Sequence, residues 1–200
     1  MPTHTFSIRE ALNVGWAKTK EHFWYLLSVF AICVLIIGAA HRTLLHPIAG
    51  FLLGISIITV SLAIVHNKIP TYYDLIKSFR TYVIPWKSFL SSLLYCLIVL
   101  LGLIAFILPG IYLAIRLQFY KYIAVEHQHL KVTDILRESM RITQGHFWKL
   151  FAFLIVIILI NIVGALPFGI LLVITIPITL LAYAHVYKKL SNGSSLDNTN

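Results

Sequence analysis

Of 200 residues, 59% are hydrophobic, and only 16 Lys and Arg with 7 Asp and Glu carry formal charge, whereas a water-soluble domain commits about a quarter of its positions to charge. That balance argues against a soluble globular domain, intrinsic disorder and a disulfide-stapled secreted module, and it leaves too little polar chain for a large catalytic domain beside a membrane part. The net charge of +9 does not point to nucleic acid, because the basic residues lie in short segments between apolar runs, the arrangement that faces an anionic cytoplasmic leaflet.

The first predicted element is an amphipathic helix with Ile8, Ala11, Leu12, Gly15 and Trp16 on one face and a Ser7/Glu10 capping box at its start. Two apolar runs follow, Phe23 to Ala40 and Pro47 to Val65, each close to the roughly 20 residues that cross ~30 Å of hydrocarbon; His41 to His46 is the turn between them. A second amphipathic helix is predicted from Tyr72, Leu75, Ile76, Phe79 and Val83, capped by Thr71 with Asp74, ahead of the runs Phe89 to Leu108 and Ile111 to Val125 with their turn at Pro109-Gly110. Val132, Ile135, Leu136, Ser139 and Met140 give the third; Lys131 stands at its cap position, so Thr133 is the expected cap. The runs Phe147 to Leu166 and Phe168 to Tyr187 come next, turning near Pro167 and Gly169, and polar residues 191–200 are expected to form a disordered tail. A capped helix ahead of Phe23, and an apolar run longer than a signal core, mark the first span as retained rather than cleaved.

Trp24, Trp86 and Trp148 are spaced by 62 and 62 residues and each opens one of these apolar pairs. The spacing predicts three tandem repeats of about 7–66, 70–128 and 131–189 within one membrane domain, 1–190, each repeat an interfacial amphipathic helix plus a transmembrane hairpin. The predicted fold class is therefore all-α integral membrane with six transmembrane helices, the three tryptophans serving as interfacial anchors. The amphipathic helices either lie in the headgroup plane or pack over the cytoplasmic end of the bundle, and the sequence leaves both open. Loop charge sets the orientation: Arg9, Lys18, Lys20, Lys68, Lys77, Arg80, Lys87, Lys131, Arg137, Arg141, Lys149, Lys188 and Lys189 share one side, and Arg42 alone lies in the outer turns. Both termini are expected in the cytoplasm.

The stretch Leu108-Pro109-Gly110-Ile111-Tyr112, then Arg116, Glu126, Ser139, Thr143, Gly145, Phe147 and Trp148, resembles the membrane domain associated with some bacterial glycerophosphodiester phosphodiesterases and its uncharacterised stand-alone six-helix membrane relatives. The resemblance covers the last two repeats well and the first more loosely. It implies a prokaryotic inner-membrane protein. Nothing in the chain corresponds to the soluble phosphodiesterase barrel with its acidic metal ligands, so the enzymatic activity does not carry over.

No catalytic residues are expected, since no nucleophile–base, phosphate-loop or dinucleotide pattern occurs. The nine histidines are scattered and supply no converging set of three or four ligands, so neither metal nor other cofactor is expected. Cys33 and Cys96 fall in apolar runs, where a thiol behaves as a small hydrophobe. Arg116 and Lys121 are the basic residues within a predicted span, where a cation at the helix centre costs roughly 2.5–3.5 kcal/mol. Lys121 can snorkel to the interface. Arg116 has Tyr112 and Tyr120 at minus four and plus four on its helical face. It either binds helix carbonyls or snorkels, or, with Gln118, Lys121, Tyr112 and Tyr120, holds a lipid phosphate or anionic solute.

Two functions fit these readings. One is a non-enzymatic inner-membrane scaffold or assembly factor that binds anionic membrane lipids or a membrane-protein partner. The other is a conduit for a lipid or small anionic solute, using Arg116, Lys121, Gln118 and a sixth helix bent at Pro177.

Overall fold

The computed structural model describes residues 6–40, 46–68, 86–105, 107–166, 169 and 171–193. All regular structure among them is helical: α1 (Ile8–Glu21), α2 (Phe23–Ala40), α3 (His46–Val65), α4 (Trp86–Ala105), α5 (Ile107–Leu117), α6 (Tyr120–Glu126), α7 (Val132–Ile142), α8 (Phe147–Ala165) and α9 (Leu172–Gly193). The second predicted amphipathic helix, the turn at 41–45, Pro167 and residues 194–200 lie outside the described residues, as does the side chain of Trp86.

Long apolar runs whose interiors carry no Pro or charge have no reason to leave the helix, and α2, α3 and α8, with Pro47 and Lys149 confined to the first turns of the latter two, keep within a residue of the predicted bounds. Four local readings are corrected. Pro109-Gly110 is not the turn but lies inside α5; a proline in the first helical turn sacrifices no hydrogen bond, because the first amides of a helix have no intrahelical acceptor. The run Ile111 to Val125 is not one helix but breaks at Gln118-Phe119 into α5 and α6. Lys131, not Thr133, is the N-cap of α7: it is extended (φ −74°, ψ 156°), its carbonyl accepts from the amides of Asp134 and Ile135 at 3.0 Å each, and Asp134 complements the helix dipole. The last helix continues through Pro177 and runs past residue 190, where the tail was expected to begin, to Gly193.

By length and apolarity alone, one described helix, Phe147–Ala165, suffices to cross a membrane; α1 and α2 pass the same test as a pair but meet at 87°. Gly50–Val65 and Phe89–Gly102 are shorter apolar helices.

The chain divides into two compact units, one of residues 1–8, 84–155 and 186–200, the other of 9–83 and 156–185. In the first, α7 packs by Ile135, Leu136, Ser139 and Ile142, and the fully buried side chains include Ile115, Leu117, Phe119, Ile123, Leu150 and Tyr187. Close reversal of α4 into α5 requires Gly102: a Cβ there would lie 3.0 Å from the Cα of Gly110. In the second unit, Ala11, Gly15 and Thr19 form the buried stripe of α1, and a Cβ on Gly15 would come within 2.5 Å of the Ile178 carbonyl oxygen of α9. Val29 and Cys33 of α2 pack with Leu53 of α3. Of the predicted apolar faces, that of α7 is buried at Ile135, Leu136 and Ser139, whereas that of α1 is buried only at Ala11 and Gly15 and leaves Trp16 47% exposed.

Candidate functional site

The break in α5–α6 organises the residues singled out from sequence. The last four carbonyls of any helix lack intrahelical donors, and α5 ends one residue after Arg116. The main-chain oxygen of Arg116 accepts the hydroxyl of Ser139 at 3.1 Å and lies 3.0 Å from that of Thr143. Both hydroxyls come from the C-terminal end of α7. Thr143 carries one proton and has a second acceptor in the Ser139 carbonyl at 2.7 Å, so Ser139 is the committed donor and Thr143 its reserve. This cap from a distant helix lets the chain turn at Gln118-Phe119 without stranding a buried carbonyl.

The Arg116 side chain runs the opposite way across the same junction. Its Nη2 donates to the Met140 carbonyl at 2.7 Å, and its guanidinium carbon sits 5.6 Å from the centre of the Tyr112 ring. The cation therefore rests at the C-terminal ends of both α5 and α7, where the helix dipoles favour positive charge. Its Nε is buried with no hydrogen-bond partner among the described residues. Tyr112 in turn packs on Phe147 at 5.1 Å, and Phe147 on Trp148 at 5.3 Å; Trp148 is 76% exposed. Arginine, tyrosine, phenylalanine and tryptophan form a line from a buried junction to the surface at the start of α8. Gly145, between α7 and α8, has φ +79°, a conformation that costs side-chain-bearing residues energy and suits glycine.

The other candidates part company with Arg116. Tyr120 does not share its face, because the helix breaks between them; its hydroxyl donates to Ser92 at 3.1 Å and its ring stacks on Tyr95 at 4.7 Å. Lys121 is exposed, its ammonium 5.8 Å from the Tyr120 ring. Gln118 lies half-buried in the turn itself. Glu126, which entered with the resemblance, accepts the hydroxyl of fully buried Tyr187 at 2.6 Å, and Tyr187 packs against Phe119 and Tyr122. Trp24, 80% exposed at the start of α2, stands as Trp148 does at the start of α8.

Sequence reading passed over Asn161. In apolar α8 its side-chain amide donates to the Ile157 carbonyl at 2.9 Å, and its oxygen accepts from Thr175 of α9 at 3.3 Å. A lone Asn in a run of Ile, Leu and Val is itself the signal, since an unsatisfied amide in hydrocarbon costs several kcal/mol. Among the described residues no group of His, Cys, Asp and Glu is placed to hold a metal ion.

Against known proteins, the profile of one family, described as a domain of unknown function (DUF7847), matches residues 22–195, and the chain belongs to that family. No curated protein and no solved structure matches it.

Proposed function

We propose that the protein is a non-catalytic integral membrane protein, with six spans in three repeats, that serves the cytoplasmic face of a prokaryotic inner membrane as a scaffold for anionic lipids or membrane partners. The observation that carries the reading is the pattern of exposure: α2, α4 and α8 leave Leu35, Leu97, Leu101, Leu159 and Val163 exposed, Leu35 at 71%. Large apolar side chains left exposed along several helices mark contact with hydrocarbon or a partner. The basic residues cluster in the connections beyond those faces, as the cytoplasmic side of a membrane protein requires. The amphipathic helix α1 meets α2 at 87°, the angle at which one helix lies along a bilayer while the next enters it.

A scaffold is favoured over a conduit by the engagement of Arg116. Its guanidinium is bonded to a helix carbonyl and set against an aromatic ring, a structural arrangement that holds two helix ends together. The resemblance to the phosphodiesterase-associated membrane domain supports the same placement. Purified protein in proteoliposomes tests both parts: anionic lipid should be enriched in its annulus over zwitterionic lipid, with no flux of small anions above that of protein-free vesicles. Anion flux abolished by Arg116→Ala at matched folding would overturn the scaffold reading.

A further inference from the structure

Within the unit of residues 9–83 and 156–185, α2, α3 and α9 enclose a half-open cleft with a volume of about 50 Å³. Leu26, Val29 and Cys33 form one wall, Ile57 and Val60 the second, and Pro177 with Leu181 the third. Ser61 is a polar side chain in the lining, and its hydroxyl is already donated to the Ile57 carbonyl at 2.8 Å. A cavity that offers water no free partner stays dry and takes hydrocarbon.

One end of this cleft is cationic. Leu26 lies one turn beyond His22 and the α1–α2 corner, which carries Lys18 and Lys20; Ser61 lies two turns before Lys68, the residue that follows the α3 cap at Asn67 (φ 55°). Because the early part of α2, Leu26 to Cys33, lines the cleft together with the late part of α3, Ile57 to Ser61, the start of the first helix and the end of the second lie toward the same rim. Glu21 is the acid at the corner and pairs with Lys18 at 3.0 Å, so Lys20 and Lys68 remain as excess positive charge; the ammonium of Lys20 lies over the Trp16 ring at 5.4 Å. A dry slot beneath a cationic rim matches one molecule of the surrounding bilayer, with chain and headgroup in that order.

We infer that this cleft is a site for a single anionic phospholipid, a segment of one acyl chain seated between α2, α3 and α9 and the headgroup phosphate against Lys20 and Lys68. The inference rests on the membrane reading above but assigns a place that reading does not. A basic residue near the headgroups contributes a factor of about five in affinity. In native mass spectrometry, phosphatidylglycerol should therefore be retained over phosphatidylcholine of identical chains, and Lys20→Gln with Lys68→Gln should erase the preference without lowering phosphatidylcholine retention. Ile57→Trp, filling the slot from a half-buried position, should lose most phosphatidylglycerol binding, while Ile158→Trp on the exposed face of α8 should not. Soluble glycerol phosphate should not compete, which separates a bilayer lipid from a free phosphate.

A variant-free measurement keeps the inference testable should Ile57→Trp fail to fold. Phosphatidylglycerol with a photoactivatable acyl chain, in vesicles, should label residues 26–33 and 176–181 several-fold more than its phosphatidylcholine counterpart. Equal labelling by the two lipids, or undiminished phosphatidylglycerol retention by folded Ile57→Trp, would overturn it. Either result leaves the membrane reading standing if the protein stays in alkali-washed membranes, whereas release by alkali would sink that reading first.

Discussion

At the scale of the residue, the carbonyl of Arg116 is the informative atom, because it has two hydroxyls within reach and needs one. Ser139→Ala or Thr143→Val alone should lower stability by less than about 1 kcal/mol, since the remaining hydroxyl can serve. The double variant should cost about 1–3 kcal/mol, the penalty of a buried acceptor left unmade, so unfolding in detergent should show a loss larger than the sum of the singles. Additive losses would contradict the shared acceptor. The guanidinium makes a different prediction: Arg116→Ala removes a charge-assisted bond to Met140 and should cost about 1.5–3 kcal/mol, while Arg116→Lys, still cationic at two helix ends, should recover part of it.

At the scale of the element, close approach decides which small residues matter. Gly15→Ala drives a Cβ to 2.5 Å from the Ile178 carbonyl and should destabilise by about 1–3 kcal/mol. Gly38→Ala in α2, where a Cβ meets nothing within 4 Å, should be neutral or stabilising, since Ala outranks Gly in a helix by about 1 kcal/mol. Thermal unfolding of the two variants side by side checks the contrast. In the last turn of α1, Lys18 bonds Glu21 and holds its carboxyl below the usual carboxylate range. A depressed carboxyl contributes stability above its ordinary titration range and loses it as pH falls through the lowered value. Helicity measured on Lys18→Ala should thus differ from wild type at neutral pH and converge with it in acid.

Elements were more legible than their joints. The bounds of α2 and α8 follow from hydropathy alone, because nothing in those runs competes with the helix. The break at Gln118-Phe119 was not legible, since what permits it is a pair of hydroxyls more than twenty residues away along the chain. Pro109-Gly110 misled for the converse reason: the pair has turn chemistry, but its position in the first helical turn makes it harmless. Tyr112 was placed by its spacing from Arg116; Tyr120 has the same spacing on the other side and was displaced by the break. Asn161 was visible as a lone amide and needed only the question of what it bonds.

For the whole molecule, the outward-facing leucines and the one-sided lysines make a joint prediction about topology. In a background with Cys33 and Cys96 replaced, a cysteine at exposed Gln144, between α7 and α8, should resist an impermeant thiol reagent applied to intact cells, and one at Leu166, beyond the end of α8, should react. The reverse pattern would invert the protein in the membrane and remove the basis for anionic-lipid binding from the cytoplasmic leaflet.

The bond between Arg116 and Met140 also has a direction in time. Arg116 leaves the ribosome 24 residues ahead of its acceptor, and at about 5–20 residues per second the newborn chain must hold an arginine at the end of a short apolar helix for roughly one to five seconds with nothing to receive it. During that interval the end of α5 lacks the carbonyl that holds its guanidinium. The carbonyl of Arg116 waits about as long for Ser139, 23 residues on, and slightly longer for Thr143, 27 residues on. The junction after α5 is therefore completed by sequence that has yet to be translated, and a chain truncated between Leu117 and Lys131 should be degraded, whereas one that extends past Thr143 carries the means to lock its own earlier turn.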